Sequence, residues 1–409
     1  MTSWIEVPAG ATFGPTTLPY GIVSRGAGRP HVAVAIGDRV LSLAAAAGTG
    51  LLDDALRDEF GVVDRAVFDA PSLNPFLVKG YDVWHAVRSR LLELVAGAEY
   101  EPALRSALVP RAEVDVHLPI EVADYVDFYS FEEHAANVGR LFRPNQPPVM
   151  PNWHRLPVGY HGRAGTVVVS GTDIVRPSGQ RLIDDELRYG PSIRLDIEAE
   201  VGFVVGTPSR LGAPVRTSDF ERYVFGAVLV NDWSARDLQR FEQVPLGPFL
   251  GKSFATSISP WVVPLDALAA ARVTAPAQDP APADYLLPPG YGYDLSLAVD
   301  WNGTTVSRPP FAGMYWTPAQ QLAHLTGNGA RLRTGDLYAS GTVSGPRPDG
   351  SGCFLELTWG GAEPVTLGDG SRRTFLEDGD TVSIRATAPG PDGTTVGLGE
   401  VTGTILPAR

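Results

Sequence analysis

Residues 127–144 read DFYSFEEHAANVGRLFRP, with Asp127, His134 and Arg143 among aromatic side chains. Ser130 and Glu133 have the spacing of a capping box, and Phe131, Ala135, Val138 and Phe142 recur at helical intervals. The spacing predicts a helix from 131 to about 142 with Ser130 as N-cap. His134 then lies in the first turn, where the positive end of the helix dipole disfavours imidazolium. A neutral imidazole accepts protons and suits a general base. The same pattern also suits an exposed amphipathic helix with a solvated histidine.

Four further stretches carry candidate groups. In RLDIEAEVGFVVG (194–206), Asp196, Glu198 and Glu200 alternate with apolar residues. On one strand face they repel each other unless solvated or bound to a cation. VFGAVLVNDWSARDLQRFEQ (224–243) reads as a strand ending at Asp232, Ser234 as a helix cap, and a helix presenting Arg236, Gln239 and Gln243 on one face. It suits a polar pocket floor or an ordinary strand-to-helix turn. VPLGPFLGKSFATSISPWVVP (244–264) places Lys252 and Thr256 in a loop whose Gly247 and Gly251 would let backbone approach a ligand. It is not a phosphate-binding P-loop, which would need glycine where Leu246 stands. In GCFLELTWGG (352–361), Glu356 falls among apolar residues of a predicted strand. Buried there it needs a partner, and a histidine is a good one; on an edge strand it would face solvent.

Pooled, these stretches supply Asp127, Glu198, Glu200 and Asp232 as hard oxygen donors. Such donors select calcium, magnesium or manganese over zinc. His134 is a base for water, Glu356 an acid to orient it, and Arg143, Arg236 and Lys252 are cations for an anionic substrate. Spacing alone does not bring these groups together.

The elements that must position them are mostly strands. The 409 residues suffice for about two domains, and 45 glycines and 36 prolines favour turns over long helices. HVAVAIGDRVLSL (31–43) predicts a hairpin around Gly37-Asp38. LLDDALRDEF (51–60) and YDVWHAVRSRLLELVAGA (81–98) read as helices, the latter with Val83, Ala86, Val87, Leu91, Leu94 and Val95 near one face. Beyond a boundary near residue 118, β-like runs such as 166–171, 197–206, 223–232, 295–303, 337–345, 354–361 and 381–388 alternate with Gly/Pro turns. The expectation is a mainly β (α+β) protein of two domains, 1–118 and 119–409. The net charge of −13 and the absence of basic runs argue against nucleic acid and anionic membranes. Cys353 is the single cysteine, so no internal disulfide forms. No apolar run is long enough to span a membrane and no leader pattern opens the chain, so a cytoplasmic location is expected.

The motifs DYVDFYSFEEHAANVGRLFRP, MPNWHRLPVGYHGRAGTVVVSGT, DIEAEVGFVVG, NDWSARDLQRFEQVPLGPFLGKSFATSISPWVVP, MYWTPAQQLAHLTGNGARLRTGDLYASGTVSG and LELTWGG together resemble the fumarylacetoacetase family. The resemblance extends to about residue 407. It implies a homodimer, each chain a small N-terminal β-barrel domain followed by a larger β-roll domain. It implies hydrolysis of the carbon–carbon bond of 4-fumarylacetoacetate to fumarate and acetoacetate, the last step of tyrosine and phenylalanine breakdown. By motif match it puts calcium or magnesium on Asp127, Glu198, Glu200 and Asp232, with a second magnesium-associated set of Asp232, Lys252 and Thr256. It makes His134 the water-activating base and Glu356 its partner. Arg236, Gln239 and Lys252 become the leaving-group stabilisers, and Tyr129, Arg143, Tyr160, Gln239 and Thr342 the substrate contacts. Gln243 departs from the pattern, since animal members carry a substrate-contacting tyrosine there. No organic cofactor is implied. A related diketo-acid (acylpyruvate) hydrolase or decarboxylase is the alternative. A non-catalytic calcium-stabilised β protein would keep the carboxylates but would have no use for His134, Glu356 or Lys252.

Overall fold

The computed structural model describes residues 3–409. Thirteen strands form one large sheet. Tyr20–Ser24 (β1), His31–Ile36 (β2), Arg39–Ser42 (β3), Leu108–Pro110 (β4) and Asp115–His117 (β5) come from the N-terminal region. Tyr125–Phe128 (β6), Gly159–His161 (β7), Val167–Val169 (β8) and Ala199–Val205 (β9) follow. Val224–Asp232 (β10), Thr256–Ile258 (β11), Trp261–Pro264 (β12) and Leu337–Ala339 (β13) complete it. The order is β4-β3-β2-β1-β12-β10-β9-β13-β6-β7, with β5 on β1 and β11 joining β10 to β8. A second, five-stranded sheet contains Ser296–Trp301, Thr381–Pro389 and Thr395–Leu406. The helices that matter here are Tyr81–Ala96 (α1), Glu132–Phe142 (α2), Arg236–Glu242 (α3), Pro318–Thr326 (α4) and the single turn Phe354–Leu357 (α5). No helix among the described residues is long and apolar enough to cross a membrane.

The mainly β character holds, but the N-terminal strands do not close into a barrel. One edge of β1 pairs with β2 while its other edge is shared by β5 and β12. The N-terminal strands therefore run on into the large sheet. The hairpin at Gly37 forms, with Ile36 opposite Arg39 and Gly37 at φ +59°. The expected helix over 51–60 shrinks to the 3-10 turn Asp54–Leu56. Asp58 Oδ1 accepts from the amides of Phe60 and Val62 at 3.0 and 2.8 Å, which turns the chain instead of extending a helix. Helix α1 buries Trp84, Val87, Leu91, Leu94 and Val95. Its inward stripe is rotated from the expected one, so Ala86 is exposed. Trp84 packs against Gly206, where a Cβ would come within 2.3 Å of the indole.

Each face of the large sheet lines a separate core. Val201, Phe203, Ala227 and Leu229 pack with Leu297, Val299, Ile384 and Val401 of the second sheet. Val204, Val228, Val230 and Leu337 pack with Leu91, Leu94 and Val95 of α1 and with Ile22 and Val34. Both chain regions thus share one core, and β9 and β10 are buried along their entire lengths. A strand covered on both faces has no solvated side for its acids.

Candidate active site

Residue parity puts three acids on the same face of the sheet, toward the ends of their strands. Glu200 shares the side of Gly202 and Val204, Asp232 that of Val228 and Val230, and Asp127 that of Tyr125. Cross-strand pairing then adds partners. Tyr160 stands opposite Asp127 on β7, and Thr256 opposite Asp232 on β11. Thr256 therefore belongs to a strand and not to the glycine loop. Its Oγ1 donates to Asp232 Oδ1 at 2.8 Å, and the Tyr160 hydroxyl donates to Oδ2 at 3.0 Å.

The acidic segment is not one continuous strand. Leu195–Asp196 pairs with Ser234–Ala235, and β9 begins only at Ala199. Glu198 sits in the break, and all three acids are buried. Asp196 turns away from the other two. It accepts from the amides of Phe354 and Leu355 at 2.7 and 3.0 Å, which start α5. It also accepts from Arg236 Nε at 2.7 Å. This anchoring explains why FLEL forms a helical turn and not the expected strand.

That turn delivers Glu356 to His134. Glu356 Oε2 lies 2.5 Å from His134 Nδ1 and accepts from Ser344 Oγ at 2.8 Å and Cys353 Sγ at 3.1 Å. Oε1 accepts from Asn137 Nδ2 at 3.0 Å. Burial would raise the pKa of Glu356, but His134 and these donors hold it below the usual carboxylate range. An ionised carboxylate only accepts, so Nδ1 carries a proton, and in the neutral ring the lone pair is then on Nε2. Nε2 lies 4.0 Å from Glu198 Oε1.

His134 is in the first turn as expected, but Ser130 is not its cap. Phe131 occupies the cap position without a side-chain bond, and Ser130 Oγ accepts from Gln321 Nε2 of α4 at 2.8 Å. Ser234 likewise caps nothing: its hydroxyl donates to Asp232 O at 3.0 Å, and Ala235 precedes α3.

Arg236 Nη1 donates to Glu198 Oε1 at 2.6 Å and to Gln239 Oε1 at 3.1 Å. Lys252 Nζ bridges Glu198 Oε2 at 2.5 Å and Asp232 Oδ2 at 2.8 Å. Burial works against the Lys252 ammonium, yet Asp232 and Glu198 lift its pKa above the ordinary lysine value. A protonated amine has no lone pair, so the Lys252 side chain neutralises the cluster and does not ligate a metal. Burial would raise the pKa of Glu198, but Lys252 and then Arg236 hold it well below the usual range. Gly251 serves α3 rather than a ligand, since a Cβ there would come within 2.7 Å of the Gln239 amide.

Asp127 and Glu200 differ from these paired acids. Asp127 Oδ1 and both Glu200 oxygens are buried without a hydrogen-bond partner among the described residues. Burial, joined by the neighbouring carboxylates, pushes both groups well above the normal range. One oxygen each of Asp127, Glu198 and Glu200 lies within 4.8 Å of the other two. Buried unpaired carboxylates this close call for a cation, and an all-oxygen set fits a hard divalent ion. Asp232 stands beside this trio, with both oxygens engaged by Thr256, Tyr160 and Lys252.

A cavity of about 310 Å³ opens onto the cluster. Asp127, Tyr129, His134, Arg143, Tyr160, Glu198, Arg236, Gln239, Gln243, Lys252 and Thr342 line it. Arg143 Nε and Thr342 Oγ1 are buried there without a hydrogen-bond partner among the described residues. Gly341 brings Thr342 in: at φ +78°, a Cβ on it would come within 2.3 Å of Phe128 O. Glu200 and Glu356 stand behind the wall. A second cavity of about 230 Å³ meets the first across Tyr160, Pro248 and Lys252 and reaches Asp232 and Thr256. Sequence reasoning missed Asn137, Ser344, Cys353 and the role of Asp196 as an anchor. Only Asn137, three residues after His134, carried a legible helical signal.

Residues 16–119 match the model of a Fumarylacetoacetase N-terminal domain, and residues 124–406 that of a Fumarylacetoacetate (FAA) hydrolase C-terminal domain. A human fumarylacetoacetase is 46% identical over 421 residues, covering 99% of both chains. Its rice counterpart is 43% identical over 429 residues, covering 100% of this chain and 98% of the relative. In fold the chain resembles a fumarylacetoacetate hydrolase from Exiguobacterium antarcticum, with a TM-score of 0.54 at 16% identity, covering 96% of this chain and 100% of the other. A maleylpyruvate hydrolase from Sphingobium sp., solved with manganese(II) and pyruvate, gives 0.53 at 14% identity, covering 96% and 100%. With both domain models matched in order and relatives aligned end to end, the chain belongs to the fumarylacetoacetase family.

Proposed function

We propose that this chain hydrolyses the carbon–carbon bond of 4-fumarylacetoacetate, giving fumarate and acetoacetate, with His134 as the base. The observation that carries the reading is the His134–Glu356 contact of 2.5 Å, which leaves Nε2 free beside Glu198 at the cavity wall. Asp127, Glu198 and Glu200, with Asp232 adjacent, would hold a divalent calcium or magnesium ion. When bound, that ion supplies Lewis-acid polarisation of a substrate oxygen.

The protein's own groups supply the rest. Nε2 takes a proton from water, and Glu356 stabilises the resulting imidazolium through Nδ1–H. The hydroxide adds to the carbonyl on the fumaryl side. The developing oxyanion needs fixed donors. Gln239 spends its carbonyl oxygen on Arg236, which leaves its amide N–H groups to donate. Lys252 uses two of its N–H bonds on Glu198 and Asp232 and keeps a third. Cleavage releases the acetoacetate enolate, which the cations Arg236 and Lys252 favour, and the proton held by His134 returns to its carbon. Arg143 and Thr342 bring unpaired donors for a substrate carboxylate, and Tyr129, Tyr160 and Gln243 shape the cavity around it.

Replacing His134 by Ala should abolish turnover of fumarylacetoacetate while divalent binding, read by calorimetry, persists. Substantial residual turnover would sink the base assignment, and faster hydrolysis of acylpyruvates by the wild-type chain would move the substrate to that class. The proposal includes a cytoplasmic homodimer. The apolar exposure of Leu182, Leu187 and Tyr189 on the hairpin Ser178–Ile183/Glu186–Pro191 supports a second copy as its cover. Sedimentation of the purified chain as a monomer would remove that part.

A further inference from the structure

Helix α2 carries Asn137 and Arg140 beyond His134, at successive three-residue steps on neighbouring positions. Arg140 Nη1 donates to Asn137 Oδ1 at 2.9 Å, which fixes the amide so that Nδ2 points at Glu356. Nδ2 then donates to Glu356 Oε1 at 3.0 Å. The two oxygens of Glu356 are served unequally. Oε2 accepts from His134, Ser344 and Cys353, whereas among the described residues Oε1 has Asn137 as its sole hydrogen-bond donor. Asn137 is half-buried and does not line the substrate cavity. It therefore touches neither substrate nor the acidic cluster.

We propose that Asn137 is a positioning residue for the reaction. By holding Oε1, it stops the Glu356 carboxylate from rotating about its terminal bond, and so keeps Oε2 aimed at His134 Nδ1. Arg140 extends the same relay by setting the Asn137 amide. The geometry supplies what a base needs when its orienting acid comes from a separate short turn: a brace from the base's own helix. Outer partners that orient metal ligands cost about 10- to 100-fold in affinity or activity when lost, and a brace on the base's orienting acid is expected to be of that order. The inference rests on the reading of His134 as base.

The test compares Asn137→Ala, Asn137→Leu and Glu356→Gln, singly and combined, in the metal-loaded full chain with fumarylacetoacetate. Asn137→Leu keeps the volume, adds no charge and removes the donor, so a packing role would leave it near wild type. Both Asn137 variants should lower kcat by about 10- to 100-fold with KM unchanged. In the Glu356→Gln background, Asn137→Ala should cost less than about threefold, because residues acting through one group are not additive. Wild-type kcat in Asn137→Leu, or full additivity with Glu356→Gln, would overturn the inference. An active His134→Ala control would overturn the base reading instead.

Discussion

Glu200→Gln should stabilise the chain without a divalent ion and lose that advantage when the ion is present. Glu200 is fully buried, and neither of its oxygens has a hydrogen-bond partner. Its pKa is raised by burial first and then by Asp127 and Glu198. A raised carboxyl favours the protonated folded state, so its stabilising contribution is present at low pH and lost as pH rises through the folded value. At pH 8 without metal, burying Glu200 is a liability, because in the unfolded chain the carboxyl ionises freely in water. The neutral amide can instead donate to Asp127, so the variant should gain about 1–3 kcal/mol. With calcium or magnesium at 100 times its dissociation constant, wild type gains about 2.7 kcal/mol that the variant forfeits. At about 2.1 cal/mol/K per residue, this 409-residue chain shifts by roughly 1 °C per kcal/mol. Calorimetry in chelator should therefore show the variant melting about 1–3 °C above wild type. In excess metal, wild type should rise by about 3 °C and the variant should not follow. A wild-type melting temperature indifferent to metal, or a variant destabilised equally in both buffers, would refute the reasoning.

Arg143→Ala should raise KM for fumarylacetoacetate by about 10-fold or more at nearly constant metal affinity, as expected for a lost charged hydrogen bond; steady-state kinetics and metal titration read the two effects. Gly341→Ala should cost at least about 1–3 kcal/mol, because its φ of +78° and the Phe128 carbonyl 2.3 Å from a Cβ leave no room; denaturant melts measure it. Asp336 is raised from 3.8 to about 6, mainly by burial. Its folded pKa exceeds the unfolded one, so its contribution holds below about 3.8 and is lost as pH rises through about 6. Asp336→Asn should thus leave stability unchanged near pH 3.5 and raise it by on the order of 1–3 kcal/mol at pH 8, as unfolding at the two pH values would show.

What the sequence revealed depended on how local the cause was. The hairpin at Gly37, the helix Tyr81–Ala96 and the strand ending at Asp232 follow from short-range pattern, and all three form. The capping box at Ser130 failed because Gln321, far along the chain, claims the Ser130 hydroxyl. The solvated reading of 194–206 failed because both faces of that strand are covered by distant segments. Glu356 was legible as an acid in need of a partner, but its element was misread. FLEL alternates like a strand, and only Asp196 reaching the amides of Phe354 and Leu355 makes it a turn. Ser344 and Cys353 left no trace in local pattern, since their importance lies wholly in what they approach.

The acids Asp127, Glu200 and Asp232 project from the sheet face that, farther along, leans on helix α1. The N-terminal region therefore fills the same sheet face beside the cluster, although among the described residues it contributes no side chain to the cavity. A smaller residue at Leu91 or Val95 would loosen the core these share with Val228 and Val230, the strand residues leading to Asp232. A lesion remote from the chemistry would then reach the cluster through the sheet that bears it.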